Sequence, residues 1–251
     1  MQDSIVAPAT PNGRGGIAVV RISGPKARPI GLKLCKKLES PWKLKKTNIY
    51  GIKKNLIDSG LVVYYKAPSS YTGEDVVEIH CHGSPIIIDL IMEAALMHGA
   101  RVARAGEFTE RAFINQKIDL AQAESVADLI SSESKETAKM ALSSLRGDFS
   151  KIINETIDRV VDIRVGLESS IDFPEEETGD HGIIKRRSLL EDEILKLKSL
   201  LNDVRASSLH REGFKVSIIG PPNSGKSILI NFLSQDDASI VSSQPGTTRD
   251  P

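Results

Sequence analysis

Residues 220 to 227 read Gly-Pro-Pro-Asn-Ser-Gly-Lys-Ser, the spacing of a phosphate-binding loop. Two glycines at that separation let the chain curl until successive backbone N–H groups face phosphate oxygens, beside the positive end of the next helix. Lys226 is placed to reach the β- and γ-phosphates of a nucleoside triphosphate, and the Ser227 hydroxyl to ligate Mg²⁺. A chance match to the four fixed positions is on the order of one in a hundred, so the alternative of a glycine turn capping an ordinary helix is the weaker reading. A second signal follows the loop lysine by roughly twenty residues: Gly246-Thr247-Thr248-Arg249-Asp250. In GTPases a threonine at this distance completes the Mg²⁺ shell and reports the γ-phosphate. A Gly-Thr-Thr turn alone reads as a polar loop; after a complete phosphate loop it gains that meaning.

The elements that must position these residues can be read from patterning. Phe214 to Ile219 is a short β-branched apolar run, expected to be the buried strand before the loop, and Lys226 to Leu233 is expected to open a helix. Near the N-terminus, Ile17–Ile22, Leu61–Tyr65 and Val76–Cys81 read as strands. Gly24-Pro25 opens a helix to about Leu38, and Pro85 starts an apolar helix through Ala95, which Gly99 ends. From about Leu120 the period changes. Leu120, Ala123, Ala127 and Ile130 share a helical face, and Ile153, Ile157, Val160, Leu167 and Ile171 continue a stripe that Pro174 stops. Leu190, Ile194, Leu197, Leu201 and Val204 then step by four, three, four and three, an apolar seam that wants a partner helix. The expected organisation is multidomain α/β plus α: an α/β domain over 1–117, an incomplete helical domain over 118–212, and the start of a P-loop domain over 213–251.

Composition limits the function classes. Thirty-three cationic residues balance 33 acidic ones, so no global field draws the chain to nucleic acid or membranes. No apolar stretch approaches bilayer length, and no basic presequence or signal segment opens the chain. Two cysteines, Cys35 and Cys81, make no disulfide framework, which suits a reducing cytoplasm.

Several segments together carry a family likeness. They are Ile5 to Pro11 with Gly13-Arg14-Gly15-Gly16-Ile17, Arg21-Ile22-Ser23-Gly24, Tyr71-Thr72-Gly73-Glu74-Asp75-Val76, Gly106 to Phe113, and Asp119 to Glu124. With the phosphate loop and Gly246–Asp250, they make the whole chain resemble the bacterial tRNA-modification GTPase family MnmE (TrmE). The resemblance implies an N-terminal domain that forms a homodimer and binds 5-formyltetrahydrofolate or a related tetrahydrofolate, at positions matching Arg21, Glu78 and Lys117. A carboxylate suits the aminopyrimidine edge of a pterin, and cations suit a carbonyl or the glutamate tail. From composition alone, Arg21 and Glu78 are edge-strand charges and Lys117 a solvated residue; the family match reverses that reading.

In the nucleotide module the resemblance implies GTP binding through Asn223, Ser224, Gly225, Lys226, Ser227 and Ile228, and through Ser242, Ser243, Gln244, Pro245, Gly246, Thr247 and Thr248. Ser227 and Thr248 would hold Mg²⁺; Asn223, Ser242, Gln244 and Thr247 would hold K⁺, a fixed positive charge beside the phosphates. Ile228 departs from the family, whose members usually carry a second small hydroxyl residue there. The implied role is a cytoplasmic bacterial GTPase that forms a heterotetramer with MnmG (GidA), a partner supplying FAD and NADH chemistry, and adds an aminomethyl or carboxymethylaminomethyl group to the wobble uridine of tRNA. Two other readings are a folate-binding dimerisation module with a vestigial nucleotide stub, and a P-loop ATPase unrelated to tRNA.

Two further signals carry less weight. His80-Cys81-His82 places two imidazoles on one side of a strand, as a metal site would, but no second cluster of ligands accompanies them, so the expected reading is a strand with satisfied histidines. Between Lys26 and Lys54 there are ten Lys or Arg against the single Glu39, which suits a tRNA backbone or a solvated face; with only Trp42 and Tyr50 interleaved, base stacking is not implied. The sequence ends 24 residues past Ser227, ahead of where the family has its Asp-x-x-Gly, water-orienting acid, Asn-Lys-x-Asp and C-terminal cysteine motif. No catalytic residue of the family therefore matches a position in these residues, and they are expected to hydrolyse GTP poorly or not at all. A K⁺-dependent phosphate-release assay beside a mant-GTP titration checks this; turnover comparable with a full-length relative would refute it.

Overall fold

Along Val76–Gly83, Val77, Ile79 and Cys81 are buried, while Glu78 and His80 are half-buried and His82 is exposed. A period of two is what a strand with one face on a core produces. The computed structural model describes residues 3–132, 134–172, 179–212, 217–221, 224–226, 228–229 and 232, and its strands are β1 (Ser4–Pro8), β2 (Gly15–Ser23), β3 (Lys45–Tyr50), β4 (Leu56–Tyr65), β5 (Val76–Gly83) and β6 (Ala100–Val102). They form one mixed sheet in the order β3-β4-β5-β2-β1-β6, antiparallel throughout except for the parallel β1–β6 pair.

Helices α1 (Ala27–Cys35) and α2 (Pro85–Met97) cover one face of that sheet. Ile30 and Leu34 of α1 and Ile88, Ile91, Ala94 and Ala95 of α2 close a core over Val6, Val20, Ile22, Val62, Val77 and Ile79. Burial of each Val, Leu or Ile among them stabilises by roughly 1.5–3 kcal/mol. The opposite face carries Arg21 from β2, Tyr65 from β4, and Glu78, His80 and His82 from β5. Helix α3 (Glu107–Ile114) follows β6.

Four more helices follow: α4 (Leu120–Ser131), α5 (Lys135–Leu145), α6 (Asp148–Asp172) and α7 (Gly179–Glu212). Asp119 and Gln122 form a capping box at the start of α4, and Ser134 and Thr137 form one on α5, each satisfying backbone groups that a helix start leaves unpaired. The Gln122 amide also donates to the Leu145 carbonyl at 3.0 Å, tying α4 to the end of α5. The chain divides into two compact units, Met1–Arg186 and Arg187–Pro251. Within the first, the Arg186 guanidinium lies against Gly166 and donates to the Ser170 hydroxyl of α6.

The structure differs from the sequence reading in four places. α1 stops at Cys35 rather than Leu38, because Lys36 turns to φ +56°. Ser217–Ile219, the described part of the expected strand, is not a strand, and Ile219 is 94% exposed. A strand exists by its ladder, and among the described residues none pairs with these three. β1, β3, β6, α3 and α5 were not expected at all; β3, reading Lys-Lys-Thr-Asn-Ile-Tyr, has no apolar run to announce it. The helical stripes do lie on helices, but Leu120, Ile130, Ile157 and Ile171 are exposed, and so are Leu190, Ile194, Leu197, Leu201 and Val204. Among the described residues, Ala141 and Ile163 are the apolar side chains of α4–α6 that are buried.

Gly60 sets how closely β4 approaches β5: a Cβ there would lie 2.0 Å from the His80 carbonyl oxygen, a backbone atom that cannot swing away. Gly60→Ala is expected to cost about 1–3 kcal/mol and lower the thermal midpoint by roughly 5 °C or more, measured by circular dichroism. An unchanged midpoint would mean the ladder absorbs the methyl group.

Candidate functional site

Antiparallel register sets Arg21 of β2 directly opposite Glu78 of β5. On the sheet face away from α1 and α2 the two side chains meet: Arg21 Nε donates to Glu78 Oε1 at 2.8 Å, and the second guanidinium contact is also 2.8 Å. The pair is partly buried, with 25% and 14% of the side chains exposed. Tyr71 and Phe108 flank the guanidinium, each with its ring centroid 5.5 Å from Arg21 Cζ. The other carboxylate oxygen is held loosely. Glu78 Oε2 has the Tyr65 hydroxyl at 3.4 Å and His80 Nε2 at 3.7 Å. It therefore keeps acceptor capacity beside aromatic rings, an arrangement that suits a flat heterocycle with adjacent N–H donors.

Lys117 reaches this neighbourhood by another route. Its backbone N–H donates to the Ala112 carbonyl at the end of α3, and its aliphatic stem packs over Gly73. Gly73 sits at φ +75°, and a Cβ there would press within 3.3 Å of the Lys117 stem and of Asn115, so glycine is required for both reasons. Asn115 Nδ2 donates to the Thr72 carbonyl at 2.6 Å. The structure thus pairs Arg21 with Glu78 directly and fastens Lys117 to the turn whose Tyr71 covers Arg21.

The aromatic flank is held from below by an ionic cluster that sequence reasoning missed. Arg111 of α3 is fully buried; its Nη1 donates to Glu74 Oε2 at 3.0 Å and to the Asp3 carbonyl at 3.0 Å, and its Nη2 to Asp3 Oδ1 at 2.9 Å and Glu107 Oε1 at 3.1 Å. Arg101 reaches the same Glu107 at 2.8 and 2.5 Å. Ser23 ties in, donating to Glu74 Oε2 at 2.8 Å and lying 2.7 Å from the Thr72 hydroxyl. Above the cluster, the hydroxyls of Tyr71 and Thr109 are 2.8 Å apart, joining the turn to α3 one residue from Phe108. The available signal was the i,i+4 spacing of Glu107 and Arg111, which puts opposite charges on one helical face.

Hydrogen bonds from Arg101 hold the Glu107 carboxyl down at about 2 against the burial that would raise it, with the Arg104 N–H and Arg111 adding to the effect. Burial pulls the Arg111 guanidinium toward neutrality, but Glu74, Glu107 and Asp3 more than offset it. Burial also pushes the thiols up, Cys35 to about 12 and Cys81 to about 11, so neither is a ready thiolate.

The histidines of β5 divide. His82 Nδ1 lies 2.8 Å from Asp58 Oδ1, and the His82 N–H donates to Asp58 Oδ2 at 2.8 Å. His80 departs from the expectation of satisfied histidines, since its buried Nε2 makes no hydrogen bond. No cluster of three or more His, Cys, Asp or Glu able to hold a metal occurs among the described residues.

In the phosphate loop, Ser224, Gly225, Lys226 and Ile228 are described; Asn223, Ser227 and Ser242 to Thr248 lie outside the described residues. Gly225 takes φ +83°, a conformation that favours glycine. The Lys226 ammonium bridges the loop, donating to the carbonyls of Gly220 at 3.0 Å and Pro221 at 2.7 Å. The Leu229 N–H donates to the Gly225 carbonyl at 2.9 Å, the first turn of the helix expected there.

A helix-backed mixed sheet with a charged, aromatic-flanked open face, followed by long helices and a phosphate-loop sequence, defines a multidomain α/β plus α protein. Two family models match it: "GTP-binding protein TrmE N-terminus" over residues 4–117 and "MnmE helical domain" over residues 120–250. The chain belongs to the MnmE family. It is 49% identical to the tRNA modification GTPase MnmE of Francisella tularensis subsp. holarctica strain OSU18 over 249 residues, which is 99% of this chain and 55% of that protein. The same-named protein of Francisella philomiragia subsp. philomiragia is 48% identical over the same shares, and that of Francisella tularensis subsp. novicida 49%. The chain spans about half the length of the curated relatives it matches. No described helix is long and apolar enough to cross a membrane.

Because the Glu107 carboxyl titrates lower in the fold than its ordinary 4.5, its stabilisation is present above that value and is lost as pH falls toward 2. A shift of this size corresponds to on the order of 3 kcal/mol. Urea unfolding followed by the single tryptophan, Trp42, should show stability falling between about pH 4.5 and 2.5, with Glu107→Gln less stable at pH 7 and flatter in acid. Parallel curves for the two proteins would refute the assignment.

Proposed function

We propose that this chain acts in tRNA wobble-uridine modification as an MnmE-type GTP-binding protein. Its N-terminal sheet holds a reduced folate and its phosphate loop holds GTP. The observation that carries the reading is the Arg21–Glu78 pair, joined at 2.8 Å, with the second carboxylate oxygen held only by a long bond from the Tyr65 hydroxyl and the Tyr71 and Phe108 rings beside the guanidinium.

The donor chemistry fits a pterin. Glu78 Oε2 would accept from the N–H edge of the aminopyrimidine, Arg21 would fix the carboxylate and face a ring carbonyl, and Lys117 would meet the glutamate tail. A bound folate would supply a one-carbon unit; these residues would bind and orient it, with the Tyr71 and Phe108 rings beside the guanidinium. In the nucleotide module the donor set is oxygen throughout: hydroxyls from Ser227, Ser242, Thr247 and Thr248, and side-chain carbonyls from Asn223 and Gln244. Hard oxygen donors suit Mg²⁺ at Ser227 and Thr248 and K⁺ at the others. A homodimer formed by the N-terminal domain, a heterotetramer with MnmG, tRNA as the substrate, GTP hydrolysis by the whole protein and a bacterial cytoplasmic setting belong to the same proposal. The relatives' name, tRNA modification GTPase MnmE, supports it.

Calorimetric titration with 5-formyltetrahydrofolate tests the site. Glu78→Ala is expected to weaken binding at least tenfold, since a charge-assisted hydrogen bond contributes about 1.5–3 kcal/mol, while the circular dichroism spectrum stays that of the parent. Undiminished affinity in a folded Glu78→Ala protein would overturn the folate assignment.

A further inference from the structure

The two ends of the sheet treat their cations differently. At the β6 end, Arg101, Arg104 and Arg111 are all engaged by acids. At the β3 end they are not. Ten Lys or Arg occur between Lys26 and Lys54 with only Glu39 among them, in a chain whose 33 cationic and 33 acidic residues balance overall. Glu39 is taken by Lys45, and among the described residues no other cation of this stretch forms an ion pair. Nearby acids are occupied as well: Asp58 accepts from the Ser59 and His82 N–H groups, and Asp75 from the Ala67 N–H.

Topology gathers these charges. β3 is one of the two edge strands, α1 packs against it, and the β3–β4 turn extends it, so residues from three segments share one end of the sheet. Lys36, Lys37, Lys43, Lys46, Lys53 and Lys54 are exposed. Lysines on an edge strand deter edge-to-edge pairing, which accounts for Lys45 and Lys46. It does not account for Lys36 and Lys37 after α1, Lys43 before β3, or Lys53 and Lys54 in the turn. Lys36 lies 3.9 Å over the Tyr50 ring, which covers that aromatic face and leaves charge rather than a stacking platform on display. Six residues of extended strand measure on the order of 20 Å, long enough to follow several phosphates.

We infer that the α1–β3 end of the N-terminal domain is an RNA-contact surface that takes the phosphate backbone of a folded RNA by charge and shape rather than by base sequence. This deepens the tRNA reading above and rests on it. An RNA backbone is favoured over an anionic bilayer because the charges lie along an edge strand, a line rather than a flat apolar-faced helix.

The test is fluorescence anisotropy with labelled bulk tRNA across a salt series, using the 251-residue chain, a quadruple Lys37→Glu, Lys43→Glu, Lys46→Glu, Lys53→Glu variant, the matching Lys→Gln set, and a control with Lys185→Glu and Lys198→Glu on α7. The patch reversal is expected to weaken tRNA binding at least tenfold near 50 mM salt and to lower the salt slope by about three, with the Gln set intermediate and the control unchanged. Equal loss in the control, or parent-like binding in the folded patch variants, overturns this surface and leaves the tRNA reading standing. Absence of tRNA binding by the parent protein overturns both. Patch-dependent binding to phosphatidylglycerol vesicles with patch-independent tRNA binding overturns the surface in favour of a lipid.

Discussion

Arg111 is wholly buried yet charged, and a guanidinium out of water is tolerable only if acceptors surround it. Its partners come from separated parts of the chain: Asp3 at the entry to β1, Glu74 in the turn before β5, and Glu107 one helical turn back on α3. Arg101 shares Asp3 and Glu107, and Ser23 shares Glu74, but among the described residues Arg111 is the one cation that touches all three acids, and it cannot stay buried without them. Removing one partner of such a cluster typically costs about 3–5 kcal/mol, because the remaining charge is stranded. The cluster therefore forms as a unit, and with it the relation of α3 and the Tyr71 turn to the sheet is set. The aromatic flank of Arg21 rides on those two elements.

The sheet then divides labour between its faces and between its ends. One face is closed by α1 and α2 over Val20, Ile22, Val77 and Ile79; the other keeps charge and rings available. One end is neutralised by the arginine cluster and the other left positive. Both divisions arise from placing like residues on alternate positions of strands and on separate segments, at little energetic conflict, since exposed lysines remain hydrated.

How much of this could be read from sequence depended on periodicity. Val76–Cys81 declared itself by alternation, and Pro85–Met97 by a proline start and a glycine stop. β3 did not, because a strand held by its ladder at a solvated edge needs no apolar residues, and β6 is too short to show a period. Arg21 and Glu78 were legible as candidates only through family resemblance; that they face each other depends on β2–β5 register, which no local pattern encodes. The Arg111 cluster was hidden for the same reason, its contacts spanning up to 108 positions. The helical stripes show the opposite failure. Their period was correct, but period says which residues share a face and not what covers it.

β5 holds the core and the site at once, Val77, Ile79 and Cys81 on one side and Glu78 and His80 on the other. A slip of one position would turn Glu78 into the hydrocarbon and Ile79 onto the face that carries Arg21. Any chain with a scrambled site would thus also lack a core. Folding proofreads the charged face, and molecules in which Arg21 and Glu78 fail to meet are removed by their own instability.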